Sequence, residues 1–220
     1  MPSTIRKLWR RSSLGCNPMR RLRTSNLRAP GDLARCFASE CFLDEIASEL
    51  GVDPVQLRLR HLTHNKRGTD VLLAAAKKAE WKERPSPVPA STGSTATGRG
   101  VAMTNRANSY VAMVAEIELD KSNGKVLVKR ITISHDCGLI VNPDGVKNQI
   151  EGNIIQGVSR ALLEEVQFDA SSMKNLDWSS YPILTFADVP DIEIVLINRP
   201  EMTPLGAGEQ AIVPVAAAIA

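Results

Sequence analysis

Ser109-Tyr-Val-Ala-Met-Val-Ala-Glu-Ile-Glu-Leu-Asp120, then Asn123-Gly124, then Val126-Leu-Val-Lys-Arg-Ile-Thr-Ile-Ser134 is the stretch that decides the fold. Val111, Met113, Ala115, Ile117 and Leu119 alternate along one side of the first segment, which is the two-residue period of a strand. Asn-Gly tolerates the positive φ angles of a tight turn, so the second segment returns beside the first as a hairpin. Downstream, Ile150, Ile154, Val158, Leu162 and Val166 recur at helical spacing. They predict a helix from about Asp144 to Val166 with one buried stripe. Ile192–Ile197 reads as another apolar strand. The chain closes on Pro204–Gly208, Glu209 and an alanine-rich helix starting near Ile212–Pro214, because proline fits only the first turn of a helix.

Upstream of the hairpin the periodicity is helical. Asp32 follows Pro30-Gly31 and is placed to cap a helix beginning at Leu33. Phe42, Leu43, Ile46 and Leu50 mark its expected apolar stripe, and Gly51 stops it. Asp53-Pro54 starts a second helix through Leu57, Leu59 and Leu62, and a third runs from about Thr69 to Trp81. Residues 84–100 turn to Pro, Ser, Thr and Gly, the composition of a linker or long surface loop. The fold class is therefore α+β: a mainly helical portion (23–83) and a strand-hairpin and long-helix portion (101–220), joined by that linker. Residues 1–22 read as a basic, solvated and disordered segment, with a basic patch for phosphates as the alternative. The last helix stops on an apolar run at Ala220 without a cap, so the domain is expected to be truncated there.

With 220 residues, 43% of them apolar, the chain can bury a core of useful size. Its net charge of +3 is concentrated between Arg6 and Arg35, which argues against a nucleic-acid binder with a basic stripe across the whole domain. Four cysteines, none in Cys-x-x-Cys spacing, suit neither a zinc site nor an iron–sulfur cluster. A reducing cytoplasm is the default compartment, with periplasmic association as the alternative. No apolar run has the length of a membrane span.

Four places could carry chemistry. In Pro204-Leu-Gly206-Ala-Gly208-Glu209, two glycines allow close approach of a ligand, and the loop can present Glu209 rigidly into a cavity. The following helix start would favour its ionised form, which a general base needs. The plain alternative is a solvent-facing glutamate beside a tight turn. On the 144–166 helix, Gln149, Gly152, Asn153 and Gln156 lie opposite the apolar stripe. Gly152 and Gly157 are costly inside a helix unless a ligand or another backbone comes close; a polar outer face over a packing contact would also explain them. Ser134-His-Asp-Cys-Gly138 groups three metal-ligating residue types, but adjacent strand residues face opposite ways, so a strand ending in a glycine turn is the simpler reading. Leu27-Arg28-Ala29-Pro30-Gly31 sets an arginine beside a fixed turn, which suits an anion or simple surface charge.

Arg23-Thr-Ser-Asn-Leu-Arg-Ala-Pro-Gly31, Asp136-Cys-Gly-Leu-Ile-Val-Asn-Pro143, Gln149-Ile-Glu-Gly152 with Ile-Ile-Gln-Gly157, and Gly206-Ala-Gly-Glu209 follow one another in this order. So ordered, the chain from Arg23 to Ala220 resembles the molybdopterin-binding large subunit of the xanthine dehydrogenase/aldehyde oxidase family. Asp177-Trp-Ser-Ser-Tyr-Pro-Ile183 and Asp188-Val-Pro190 are most similar to its nicotinate dehydrogenase/isoquinoline oxidoreductase branch. The resemblance implies a molybdenum hydroxylase that oxidises an N-heterocycle or aldehyde with water as the oxygen source. It implies a molybdopterin cofactor, extended in bacteria with cytosine dinucleotide, and iron–sulfur clusters on a partner subunit. Glu209 matches the family's base. Gln149, Gly152 and Gln156 match the helix against the pterin, Leu27 and Arg28 the segment beside the molybdenum, and Gly206 and Gly208 the loop that carries the base. The family's protein gives the metal no direct ligand. A Gly-Gln-Gly phrase and other glycine-rich cofactor loops are missing here, so the remainder of the subunit is an expected partner. The isolated chain is expected neither to hold cofactor nor to turn over; stable molybdenum near one per chain after desalting would overturn that. A non-catalytic remnant or assembly piece is the alternative. A phosphate-binding module is a third reading, disfavoured by the lack of a lysine after the glycines.

Overall fold

A computed structural model describes residues 25–89, 92–169 and 171–220. The expected basic segment 1–22 lies outside the described residues, as do Arg23 and Thr24. The elements run α1 (Asp32–Leu50), α2 (Pro54–His61), α3 (Lys66–Lys78), β1 (Thr95–Arg106), β2 (Ser109–Asp120), β3 (Val126–Asp136), α4 (Pro143–Leu162), β4 (Asp191–Leu196) and α5 (Val215–Ile219). The fold is α+β. The four strands form one sheet in the order β1-β2-β3-β4, antiparallel except for the parallel pair β3–β4. A parallel neighbour needs a crossover, and α4 is the helix within it.

The expected hairpin forms and sits at the centre of this sheet, with Val111, Met113 and Ala115 packed in one core cluster with Ile150, Ile154 and Val158 of α4. The other face of β2 is covered too: Ala112 and Val114 pack with Val71, Leu72 and Ala75 of α3. Burial on both faces explains the unbroken apolar run Val111–Ala115, where a half-exposed strand would alternate with polar residues. The sheet is thus the middle of three layers, and its α4 side carries the candidate site.

Several local expectations are corrected. Strand β1 begins at Thr95, so the last six residues of the expected 84–100 linker are paired with β2. Asp32 is the first helical residue and not the cap; Gly31 takes the N-cap position, and the Asp32 carboxylate pairs with Arg35 and Arg106. The stripe of α1 is not apolar throughout. Phe42 and Leu50 are exposed, while Cys36, Glu40 and Ala47 are buried. The reason is a charge: Arg58 of α2 is buried beneath α1, donating to Glu40 at 2.9 Å and Asp44 at 2.6 Å, and Glu40 also accepts from Met103 N at 2.9 Å. A buried guanidinium needs such partners, so the helix turns its acids inward. Helix α3 starts three residues earlier than expected, and α4 ends at Leu162, leaving Val166 exposed beyond it.

Gly157 explains why α4 tolerates a glycine. A Cβ there would lie 2.8 Å from Val215 of α5, and both residues are buried in the core. Gly157→Ala is expected to force α5 off α4 at a cost of about 1–3 kcal/mol. The measurement is urea unfolding: a lower midpoint at unchanged slope is expected, and a wild-type midpoint would mean that the two helices do not meet this closely.

Candidate functional site

The loop between β4 and α5 is fastened before it reaches Glu209. Leu205 N donates to Cys137 O at 2.8 Å and Ser109 Oγ donates to Gly206 O at 2.7 Å. At the end of β3, Gly138 has φ +74°, and a Cβ on it would meet Thr203 O at 2.3 Å, so only glycine lets the loop lie this close. Asp136 stabilises the same corner. Its carboxylate, shielded completely from solvent, pairs with Arg67 at 2.5 Å and Arg199 at 2.8 Å. Burial pushes its carboxyl up, but the hydrogen bonds from Arg67 and then Arg199 outweigh that and hold it at about 2.

Beyond Gly206 the expected residues converge. Arg28 Nε donates to Gly208 O at 2.8 Å, Nη1 to Gln156 Oε1 at 3.1 Å, and Nη2 to Gln149 Oε1 at 2.6 Å. Glu209 Oε2 accepts from Ala29 N at 2.8 Å. Arg28, Gln149, Gln156, Gly208 and Glu209 therefore form one polar cluster from three distant parts of the chain. Gly152 belongs to it because a Cβ there would meet Arg28 Nη1 at 3.6 Å. Leu27 does not join the polar cluster. Its exposed side chain lies on a mainly apolar groove of about 810 Å³ that includes Arg28, Phe37 and Ile219 but does not reach Glu209. The Arg28 guanidinium occupies the space between Gly208 and the two glutamines, beside the carboxylate expected to project into a cavity.

One site residue escapes the sequence reading, and a second is expected on the wrong face of its helix. Arg106, the last residue of β1, pairs through Nη2 with Glu209 Oε1 and through Nη1 with Asp32. Its hydrogen bond, followed by that from Ala29 N, holds the Glu209 carboxyl below the usual glutamate range. The expected cause, the start of the last helix, is corrected: α5 begins six residues after Glu209 and has only five residues. Asn153, expected on the outer face of α4, is fully buried. Its Nδ2 donates to Gln149 O at 2.6 Å and Gly208 O at 3.2 Å, and its Oδ1 accepts from Ile212 N at 3.2 Å. No sequence signal marks Arg106, whereas the position of Asn153 beside Ile154 and one turn from Ile150 could have suggested burial.

The metal-ligand types in Ser134–Gly138 point apart. Ser134 Oγ donates to Val71 O at 2.5 Å on the α3 side, Asp136 is held by arginines, and His135 is buried with neither ring nitrogen hydrogen-bonded. Among the described residues no group of three or more His, Cys, Asp or Glu could hold a metal ion, and no helix is long and apolar enough to cross a membrane. The donor set around Arg28 suits an organic cofactor. Gln149 and Gln156 are exposed and use only their carbonyl oxygens, so both amide NH₂ groups remain to donate. Gly152 and Gly208 leave the backbone open apart from the ends of Arg28 and Gln149. Amide donors, a guanidinium and bare backbone can recognise a flat, polar heterocycle with an anionic tail, and a molybdopterin fits them.

The sheet, its crossover helix and a glycine loop that sets a carboxylate beside that helix are the frame of a cofactor-binding domain. Residues 42–190 match the molybdopterin cofactor-binding domain, and the chain belongs to that family. It is 40% identical over 208 residues to a nicotinate dehydrogenase subunit of Pseudomonas putida, a match spanning 90% of this chain and 17% of that protein. It is 34% identical over 181 residues to the beta subunit of isoquinoline 1-oxidoreductase of Brevundimonas diminuta, spanning 82% of this chain and 22% of that one. The fold is shared with aldehyde oxidoreductase of Desulfovibrio gigas: TM-score 0.68 and 16% identity, over 89% of this chain and 39% of that chain. The chain thus spans less than a quarter of the length of the two curated relatives named.

Proposed function

We propose that this chain forms the base-carrying wall of the active site in a molybdenum hydroxylase that oxidises an N-heterocycle or aldehyde with water as the oxygen source. The observation that carries the proposal is the meeting of three separate segments: Arg28 binds Gln149, Gln156 and Gly208 O, and the neighbouring Ala29 N binds the Glu209 carboxylate. Support comes from the family match and from relatives named for nicotinate and isoquinoline oxidation. In this reading the cofactor, a molybdopterin carrying cytosine dinucleotide, supplies the redox chemistry when bound. Iron–sulfur clusters on a partner subunit would take up the electrons, and the remainder of the subunit would complete the cofactor cage.

The chain's own residues orient and deprotonate. Gln149 and Gln156 offer amide donors to the heterocycle, and Gly152 leaves room between them for the Arg28 guanidinium. Arg28 fixes both glutamines and the Gly208 carbonyl at once. Arg106 and Ala29 N hold Glu209 ionised at neutral pH, so the carboxylate can accept a proton from the oxygen donor. It keeps lone pairs for this, because Oε2 accepts from Ala29 N and Oε1 from Arg106, one hydrogen bond apiece. The test is Glu209→Gln in the assembled enzyme. Lost turnover with molybdenum and pterin content retained supports the reading, and unchanged turnover refutes it.

A further inference from the structure

Asn153 is a primary amide in the middle of a helix with no exposed surface. A side chain of that kind costs free energy unless every polar atom is satisfied, and here both ends are. One helix-internal bond goes to Gln149 O. The other two leave the helix and land on either side of Glu209: Nδ2 on Gly208 O, one residue before it, and Oδ1 on Ile212 N, three residues after it. The polarities match in one orientation only, since the amide NH₂ faces carbonyl oxygens and the amide oxygen faces an N–H. Gly208 O is also where Arg28 docks, so one carbonyl links the helix, the Arg28 turn and the loop. Glu209 N in turn donates to Gln210 Oε1 at 3.1 Å.

We propose that Asn153 is the positioning residue of Glu209: it clamps the loop at residues 208 and 212 so that the carboxylate between them meets Arg106 and Ala29 N. Its meaning for catalysis rests on the reading of Glu209 as the base, but the clamp itself does not. Packing alone would not need this residue, because an apolar side chain would fill the same volume beside Ile150 and Ile154 without fixing the loop's register. The neighbouring fastenings at Leu205 and Gly206 hold the loop only on the side before Gly208. Asn153 is a side-chain tie between α4 and the loop on both flanks of Glu209.

The experiment uses the cofactor-free 220-residue chain, its Glu209 carboxyl carbon followed by NMR through a pH titration and its amides by hydrogen exchange. In Asn153→Ala, Glu209 is expected to titrate nearer the ordinary glutamate value, and the Glu209 and Ile212 amides to exchange about tenfold faster or more. The sheet amides of Met113 and Ile133 are expected to keep their protection. Asn153→Asp keeps the acceptor for Ile212 N and loses the donors, so Ile212 is expected to stay protected while the Glu209 amide loosens. An unmoved Glu209 titration, or protection lost equally in the sheet, would leave Asn153 a merely structural residue and overturn the proposal. Should Asn153→Ala fail to fold, the wild-type Asn153 carboxamide protons decide: slow exchange supports the clamp, and exchange at the rate of free asparagine overturns it. These readings need no molybdenum, so they fail or succeed independently of Glu209→Gln in the assembled enzyme.

Discussion

Glu209→Gln, in the enzyme assembled with its cofactor, is expected to lower kcat by about 10²- to 10⁴-fold, the range typical of a lost general base. The substitution keeps size and removes charge, so the loss reports chemistry more than folding. Glutamine cannot accept on both atoms; its oxygen can serve Arg106 or Ala29 N, and its NH₂ must then face a donor. That conflict costs about 1–3 kcal/mol locally. It falls on a side chain about one-third exposed, which can rotate away, so cofactor content is expected to survive. Because Arg106 and Ala29 N hold Glu209 below the ordinary glutamate range, the base is ionised throughout the neutral region. The acid limb of kcat is expected at lower pH than a free glutamate would give. Steady-state kinetics with molybdenum analysis check both points, and wild-type kcat at full molybdenum occupancy would remove Glu209 from the mechanism.

The parts of this site that are legible in the sequence are those with a strong local period or a glycine. The hairpin, helix α4 and the Gly206–Glu209 loop each carry one, and the resemblance then places Arg28, Gln149 and Gln156 beside the loop. Arg106 is hidden because β1 opens with Thr, Ala, Thr and Gly after a proline-rich stretch, a composition that reads as loop. Only the pairing with β2 makes it a strand, since Gly98 and Gly100 leave room for Ile117 and for the Ala218 carbonyl. Asn153 reads as an outer residue although α4 is covered by α5 and the 206–212 loop as well as by the sheet, which widens its buried arc beyond the apolar stripe. In α1 the error runs the other way. A buried Arg58 draws Glu40 and Asp44 inward, so hydrophobicity no longer reports which side is inside. In each case a contact between residues far apart in the chain overrides the local pattern.

His135 gives the other large effect, on stability. By alternation with Ile131 and Ile133 it faces the α4 side of the sheet, and its register partners Val111 and Leu196 are apolar. Burial lowers its imidazole from the usual 6.5 to about 4, with neighbouring Asp136 only partly opposing. The folded protein therefore keeps His135 neutral down to about pH 4, while the unfolded chain takes up a proton below about 6.5. Between those values the unfolded state binds more protons, so stability falls as the pH drops. From pH 7 to about pH 4.5 the loss attributable to His135 is about 2–3 kcal/mol. Asp136, held at about 2 by Arg67 and Arg199, stays ionised in the folded protein across this window. His135→Met fills the space without a titrating group and without two unsatisfied nitrogens. It is expected to match or exceed wild-type stability at pH 7 and to exceed it by about 2–3 kcal/mol more at pH 4.5. Urea unfolding of both proteins at the two pH values gives the comparison. Parallel losses in wild type and variant would mean that the folded state accommodates a charged His135, and with it that the core beneath α4 admits water or a partner for that ring.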